Sequence, residues 1–159
     1  MFVSKDEIEN LGFDDCRIES VEISGQTIDL WVEALIIEPK NSQNEQFTRS
    51  YADRTRIRLE NCRIVRAVKE GYRSYSADDV LLEEIPDQPL NQEQAQKILK
   101  QAPGHYLYDM KKTERQNEIV LGIEEITEDP TGIDADSYQV LIECRQVTAS
   151  WERYLNRVS

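Results

Sequence analysis

Apolar residues recur at every second position along much of this chain, and that period decides the class of fold available to it. Residues 27–38 read Thr-Ile-Asp-Leu-Trp-Val-Glu-Ala-Leu-Ile-Ile-Glu. In an extended backbone this puts Ile28, Leu30, Val32, Ala34 and Ile36 on one face. Gly25-Gln26 separates the segment from residues 16–24, Cys-Arg-Ile-Glu-Ser-Val-Glu-Ile-Ser, and the pair reads as a hairpin. The same rhythm returns over 51–60, 63–69 and 80–85, and again at Tyr106/Tyr108/Met110 and Ile119/Leu121/Ile123. A long final strand carries Tyr138, Val140, Ile142 and Cys144, then Val147, Ala149 and Trp151.

Two irregularities refine this reading. Apolar parity switches between Ile18 and Val21, and between Cys144 and Val147. One extra residue in a strand has this effect, so each place is expected to hold a β-bulge or a strand bending from one sheet into another. One segment has the helical period instead. Ala95, Ile98, Leu99 and Ala102 form a single stripe, Asn91 and Gln94 have the capping-box spacing, and Pro103-Gly104 stops the run. A short N-terminal helix is expected from Ser4 and Glu7 at the same spacing, with Gly12 as its stop. The expected architecture is one all-β, mainly antiparallel domain over 1–159. It would be a β-sandwich or partly open barrel of about 7–9 strands, with one amphipathic helix near 91–102 and a short helix at the N-terminus.

The chain of 159 residues is long enough to bury a core without a disulfide or a metal. Acidic residues outnumber Lys plus Arg by 31 to 19, a net charge of −12. That charge repels nucleic acid and anionic lipid at long range and attracts a basic partner. No apolar run approaches a membrane span, and Met1 to Glu7 lacks a basic region followed by an apolar one. Cys16, Cys62 and Cys144 are far apart and read as reduced, buried thiols, so a cytoplasmic protein is expected.

Catalytic signatures are sparse. The one histidine, His105, follows Pro103-Gly104 and reads as an ordinary surface or edge residue. No G-x-S-x-G, H-E-x-x-H or paired C-x-x-C occurs, and the six isolated glycines build no phosphate cradle. The acidic run from Glu124 to Asp136 fails as an EF-hand, because Tyr138, Gln139 and Arg145 fall at its fifth, sixth and twelfth positions; it reads as a solvated hairpin loop. No cofactor is implied. Trp31 and Trp151 read as core or sheet-edge residues.

Charge segregation is the one unusual feature. From Arg49 to Arg73 there are eight cations against three acids, a net of +5 that leaves −17 on the rest. Arg54, Arg56 and Arg58 share strand parity, with Tyr51 close in sequence. They form either an anion-recognising stripe or interface, or a row paired across strands with acids such as Asp29, Glu33 or Glu143.

The segments Phe13-Asp14-Asp15-Cys16-Arg17-Ile18, Tyr51-Ala52-Asp53, Glu70-Gly71-Tyr72 and Glu84-Ile85-Pro86-Asp87, with the closing strand at Trp151, resemble small acidic all-β bacterial proteins classed as domains of unknown function. That resemblance implies no activity and no site residues. The expectation is a binding or protein-interaction module rather than an enzyme, such as an acidic immunity-type inhibitor of a basic partner, with Arg54, Arg56, Arg58 and Tyr51 as candidate interaction residues. The alternatives are a small-anion-binding protein or enzyme with an arginine-lined cavity, and an assembly subunit pairing through an edge strand.

Overall fold

Strands form where the apolar alternation lets one face turn inward. The computed structural model describes residues 1–130 and 132–159, with the side chains of Asp129, Ile133 and Asp134 also outside that description. Strand β1 (Phe2–Lys5) is followed by a 3-10 turn at Ile8–Asn10 and by β2 (Leu11–Gly12). A hairpin of β3 (Arg17–Ser24) and β4 (Thr27–Glu33) leads to β5 (Ile36–Ile37), β6 (Ser50–Ala52), β7 (Thr55–Glu60) and β8 (Arg63–Lys69). Then come β9 (Tyr72–Tyr75), β10 (Leu81–Ile85), β11 (Gln88–Leu90) and helix α1 (Gln92–Lys100). They are followed by β12 (Tyr106–Lys112), β13 (Glu118–Asp129), β14 (Gly132–Glu143), β15 (Gln146–Trp151) and β16 (Tyr154–Arg157).

Ten strands make one antiparallel sheet in the order β1-β15-β7-β4-β3-β12-β13-β14-β8-β11, which does not close into a barrel. Two corners fold it over. β7 and β8 are consecutive in the chain but third and ninth in the sheet, and β14 and β15 are eighth and second. Both pairs turn at one place, where the Arg145 amide donates to the Glu60 carbonyl at 3.2 Å and Asn61 takes a left-handed φ of 51°. Strands that switch layers at bends are the standard way to make such corners. The switch expected between Cys144 and Val147 is this bend. The one expected between Ile18 and Val21 is a bulge at Glu19, because Ile18 pairs with Val32 while Ser20 pairs with Trp31.

A single core, which includes Ile18, Leu30, Ile57, Leu59, Leu121 and Trp151, fills the space between the layers. Helix α1 packs chiefly on β8 and buries Ala95, Ile98 and Leu99. Its capping box is present as expected: Asn91 accepts from the Gln94 amide, and the Gln94 side chain accepts from the Asn91 amide. A smaller sheet, β16-β6-β5-β2, lies beside the main one, and β9 with β10 forms a two-stranded ribbon.

Several expectations need correction. The N-terminal helix is a single 3-10 turn at Ile8–Asn10, not a two-turn helix capped by Ser4. Two turns would bury too little to persist, and residues 2–5 instead extend the sheet edge against β15, with the Phe2 ring stacked 5.8 Å from Trp151. Ser4 and Glu7 bond to each other and to Asn41 and Ser42 rather than capping a helix. The segment 27–38 is not one strand; Ala34 takes a left-handed φ of 58° and ends β4. Strands outnumber the expected 7–9, because several are only two to four residues long. The acidic run is no loop, since residues 124–129 pair in register with 132–137 as the outer part of the β13–β14 hairpin. Only Pro130 and Thr131 connect those strands, and Thr131 lies outside the described residues.

Candidate functional site: an acidic cleft beside the β3 bulge

The bulge shapes the outer face of β3 and β4. It adds a residue, Glu19, without a partner directly opposite, next to Glu33, whose own partner is Arg17. Arg54, just before β7, reaches Glu19 and donates its Nε–H to Oε2. Its guanidinium carbon also lies 4.1 Å from the centroid of the Trp31 ring. Trp31 is therefore a half-buried residue of the outer face, not of the core or a sheet edge, whereas Trp151 is buried.

Glu19, Glu33 and Arg54 border a cleft of about 670 Å³ whose wall also includes Asp15, Ala34, Tyr51, Asp53, Arg153 and Leu155. The Tyr51 hydroxyl donates to Asp15 Oδ2 at 2.7 Å, which raises the phenol above its usual range. Asp53 Oδ1 accepts from the backbone amides of Glu152 and Arg153 at 3.0 and 3.3 Å, and Oδ2 lies 3.9 Å from Arg153 Nε. The left-handed Ala34 sits in the same wall; this conformation is uncommon for a residue with a Cβ and is a form of stored strain.

Electrostatics divides the two glutamates. The hydrogen bond from Arg54 holds Glu19 below the ordinary carboxylate range. The hydrogen bond with Glu19, followed by burial and the charge of Glu19, pushes Glu33 above it. The two cations of the wall are each matched by a carboxylate of the wall, Arg54 by Glu19 and Arg153 by Asp53. Asp15 and Glu33 remain, and neither forms an ion pair with any described residue. The cleft carries unspent negative charge.

The four candidate residues do not form one site. Tyr51 and Arg54 line the cleft. Arg58 faces Asp29 directly across β7 and β4 and holds it with two hydrogen bonds of 2.8 and 2.9 Å. Arg56 sits opposite Trp31, 5.9 Å from the ring centroid. The cross-strand pairing thus holds for Arg58 with Asp29, while Glu143 takes Arg63 and Glu33 takes no arginine. His105 accepts the Ile126 amide at Nδ1, 3.2 Å away, and so braces the base of the acidic hairpin.

A second groove, of about 490 Å³, lies beside the corner at Cys144. Of its carboxylates Asp6, Glu114 and Glu118, Asp6 and Glu118 are engaged by the Val147 amide and the Thr113 hydroxyl, both at 2.9 Å, so these two serve the fold. Among the described residues, no three Cys, His, Asp or Glu side chains gather so as to hold a metal ion, and no helix is long and apolar enough to cross a membrane. Comparison with protein-family models, curated proteins and solved structures yields no match to this chain.

Proposed function

We propose that the chain is a protein-interaction module that receives a basic group of its partner in the acidic cleft. The observation that carries this reading is the charge balance of the wall, where Arg54 and Arg153 are already matched and Asp15 and Glu33 are not. An incoming lysine or arginine finds two carboxylates, the Tyr51 ring and the exposed Leu155 side chain, a mixture suited to an amphipathic cationic side chain. The net charge of −12 steers such a partner and disfavours nucleic acid or an anionic membrane. An acidic immunity-type inhibitor acting on a basic target in the cytoplasm is the concrete form of this reading. The anion-binding alternative draws less support, because Arg54 and Arg58 are already engaged by carboxylates.

A short arginine-rich peptide serves as the probe, with binding read from amide shifts of residues 15–19, 33 and 51–54. Asp15→Asn combined with Glu33→Gln is expected to weaken binding by about tenfold or more, roughly 1.4 kcal/mol. Unchanged affinity in that variant, or shifts confined to another face, would refute the proposal.

A further inference from the structure

Strands β7 and β8 pair with β15 and β14 in one register that continues through the corner. Leu59 and Glu60 lie opposite Val147 and Gln146 on one side of the bend, and Arg63 and Ile64 lie opposite Glu143 and Ile142 on the other. The same register sets Cys62 opposite Cys144. Neither backbone amide binds the other residue: Cys62 N–H donates to the Gln26 carbonyl at 2.9 Å, and Cys144 N–H to the Asn117 carbonyl at 2.7 Å. A facing pair of this kind has its Cα atoms about 4.5 Å apart, and a disulfide spans Cα separations of about 4.4–6.8 Å. Both side chains join the core, as do Ile64 and Ile142 two places along their strands. Both cysteines are reduced, and each Sγ–H donates to a carbonyl at 3.1 Å, Cys62 to Gln26 and Cys144 to Gln146. Each also lines a groove: Cys62 one of about 250 Å³ beside Gln26 and Arg63, and Cys144 the groove of about 490 Å³. Cys16, by contrast, is 0% exposed.

We infer that Cys62 and Cys144 form a reversible redox pair, closed by hydrogen peroxide into a disulfide that fastens the two strands at their shared bend. In the first step a thiolate attacks the O–O bond of the peroxide. The sulfur becomes a sulfenic acid, and the departing hydroxide takes up the proton that the thiol gave up. In the second step the facing sulfur displaces the sulfenic oxygen, which leaves as water. Two thiols and one peroxide thus give one disulfide and two waters; the cysteines lose two electrons and two protons, and the peroxide gains them. A small oxidant suits the two grooves, whereas Cys16 offers it no entry. Burial pushes the Cys62 thiol up to about 11 and raises Cys144 as well, so thiolate is scarce at neutral pH and the pair closes slowly there. The ring closed by this bond spans about half of the chain, and such a cross-link restricts the unfolded state more than the folded one. This inference uses no residue of the cleft and stands or falls apart from the proposed function.

Treatment of the folded full chain with hydrogen peroxide at about pH 9, where more thiolate is present, tests it. Thiols counted after unfolding are expected to fall from three to one, and the intact mass to drop by two hydrogens. Proteolytic mapping should join the peptides that carry Cys62 and Cys144. The urea midpoint of the oxidised chain should rise, and return to its starting value after dithiothreitol. Cys62→Ala and Cys144→Ala should each abolish the cross-link, and the wild-type peptide map decides the matter should either variant fail to fold. Three thiols remaining, oxygen added without a cross-link, or a bond to Cys16 would overturn the inference. So would a cross-linked chain whose urea midpoint does not rise.

Discussion

Glu19 and Glu33 share a hydrogen bond on the outer face of the β3–β4 hairpin, and their proton affinities are driven apart. The hydrogen bond from Arg54 lowers the proton affinity of Glu19, and the neighbouring Glu19 raises that of Glu33. The two have opposite consequences for stability. Glu33 is raised on folding, so its contribution is complete below the unfolded value and is lost as pH rises through the folded one. Glu19 is lowered, so its contribution is present above the unfolded value and is lost as pH falls through the folded one. Both groups are near the surface, so each effect is less than about 1 kcal/mol. Glu33→Gln keeps a permanent donor to Glu19. It is expected to flatten the stability profile just above the ordinary carboxylate range, measured by urea unfolding at several pH values. A profile identical to wild type would mean that the proton is not shared.

Arg58 and Asp29 form the most enclosed ion pair of the outer face, with Asp29 8% exposed. Arg58→Ala strands that carboxylate, and a cost of about 1–3 kcal/mol is expected in the urea midpoint. Replacing both residues with a matched apolar pair should restore most of the loss. Arg56→Ala, which removes no ion pair among the described residues, should cost much less.

Ala34 is expected to be improvable. A left-handed residue with a Cβ costs about 1–2 kcal/mol, and glycine relieves this at the expense of a more flexible unfolded chain. Ala34→Gly should therefore stabilise by about 0.5 kcal/mol, visible as a small rise in Tm. Ala34→Val should destabilise, because a branched side chain tolerates this backbone less well.

The three cysteines are free and buried. Burial pushes the Cys16 thiol up to about 12 and Cys62 up to about 11. A thiol-specific reagent at neutral pH should therefore find almost no thiolate in the native protein and three reactive groups after unfolding. Rapid labelling of the folded chain would contradict the burial of these three side chains.

The large sheet was legible because long strands repeat their signal. The parity change between Ile18 and Val21 located the bulge that shapes the cleft, and the Asn91/Gln94 spacing located the cap of α1. Strands of two to four residues, such as β2, β5 and β16, contain at most one or two periods and left no signal. The acidic hairpin was hidden for a different reason: a ribbon extending beyond its neighbours keeps charge on both faces and loses the alternation. The cleft draws its walls from residues 15–34, 51–54 and 153–156, which no local pattern connects. Tyr51 and Arg54 were found through the charged stripe, whereas Asp15, Glu19 and Arg153 were not. The hairpin register, extended through the bulge, is the signal that would have placed Glu19 beside Glu33.

The sharpest test is the affinity for an arginine-rich peptide at low and high salt, for wild type and for Asp15→Asn/Glu33→Gln. Attraction by unmatched carboxylates requires wild-type affinity to fall steeply with salt and the variant to bind weakly at either concentration. Equal affinity in the two proteins, or binding indifferent to salt, would show that the cleft does not recognise positive charge.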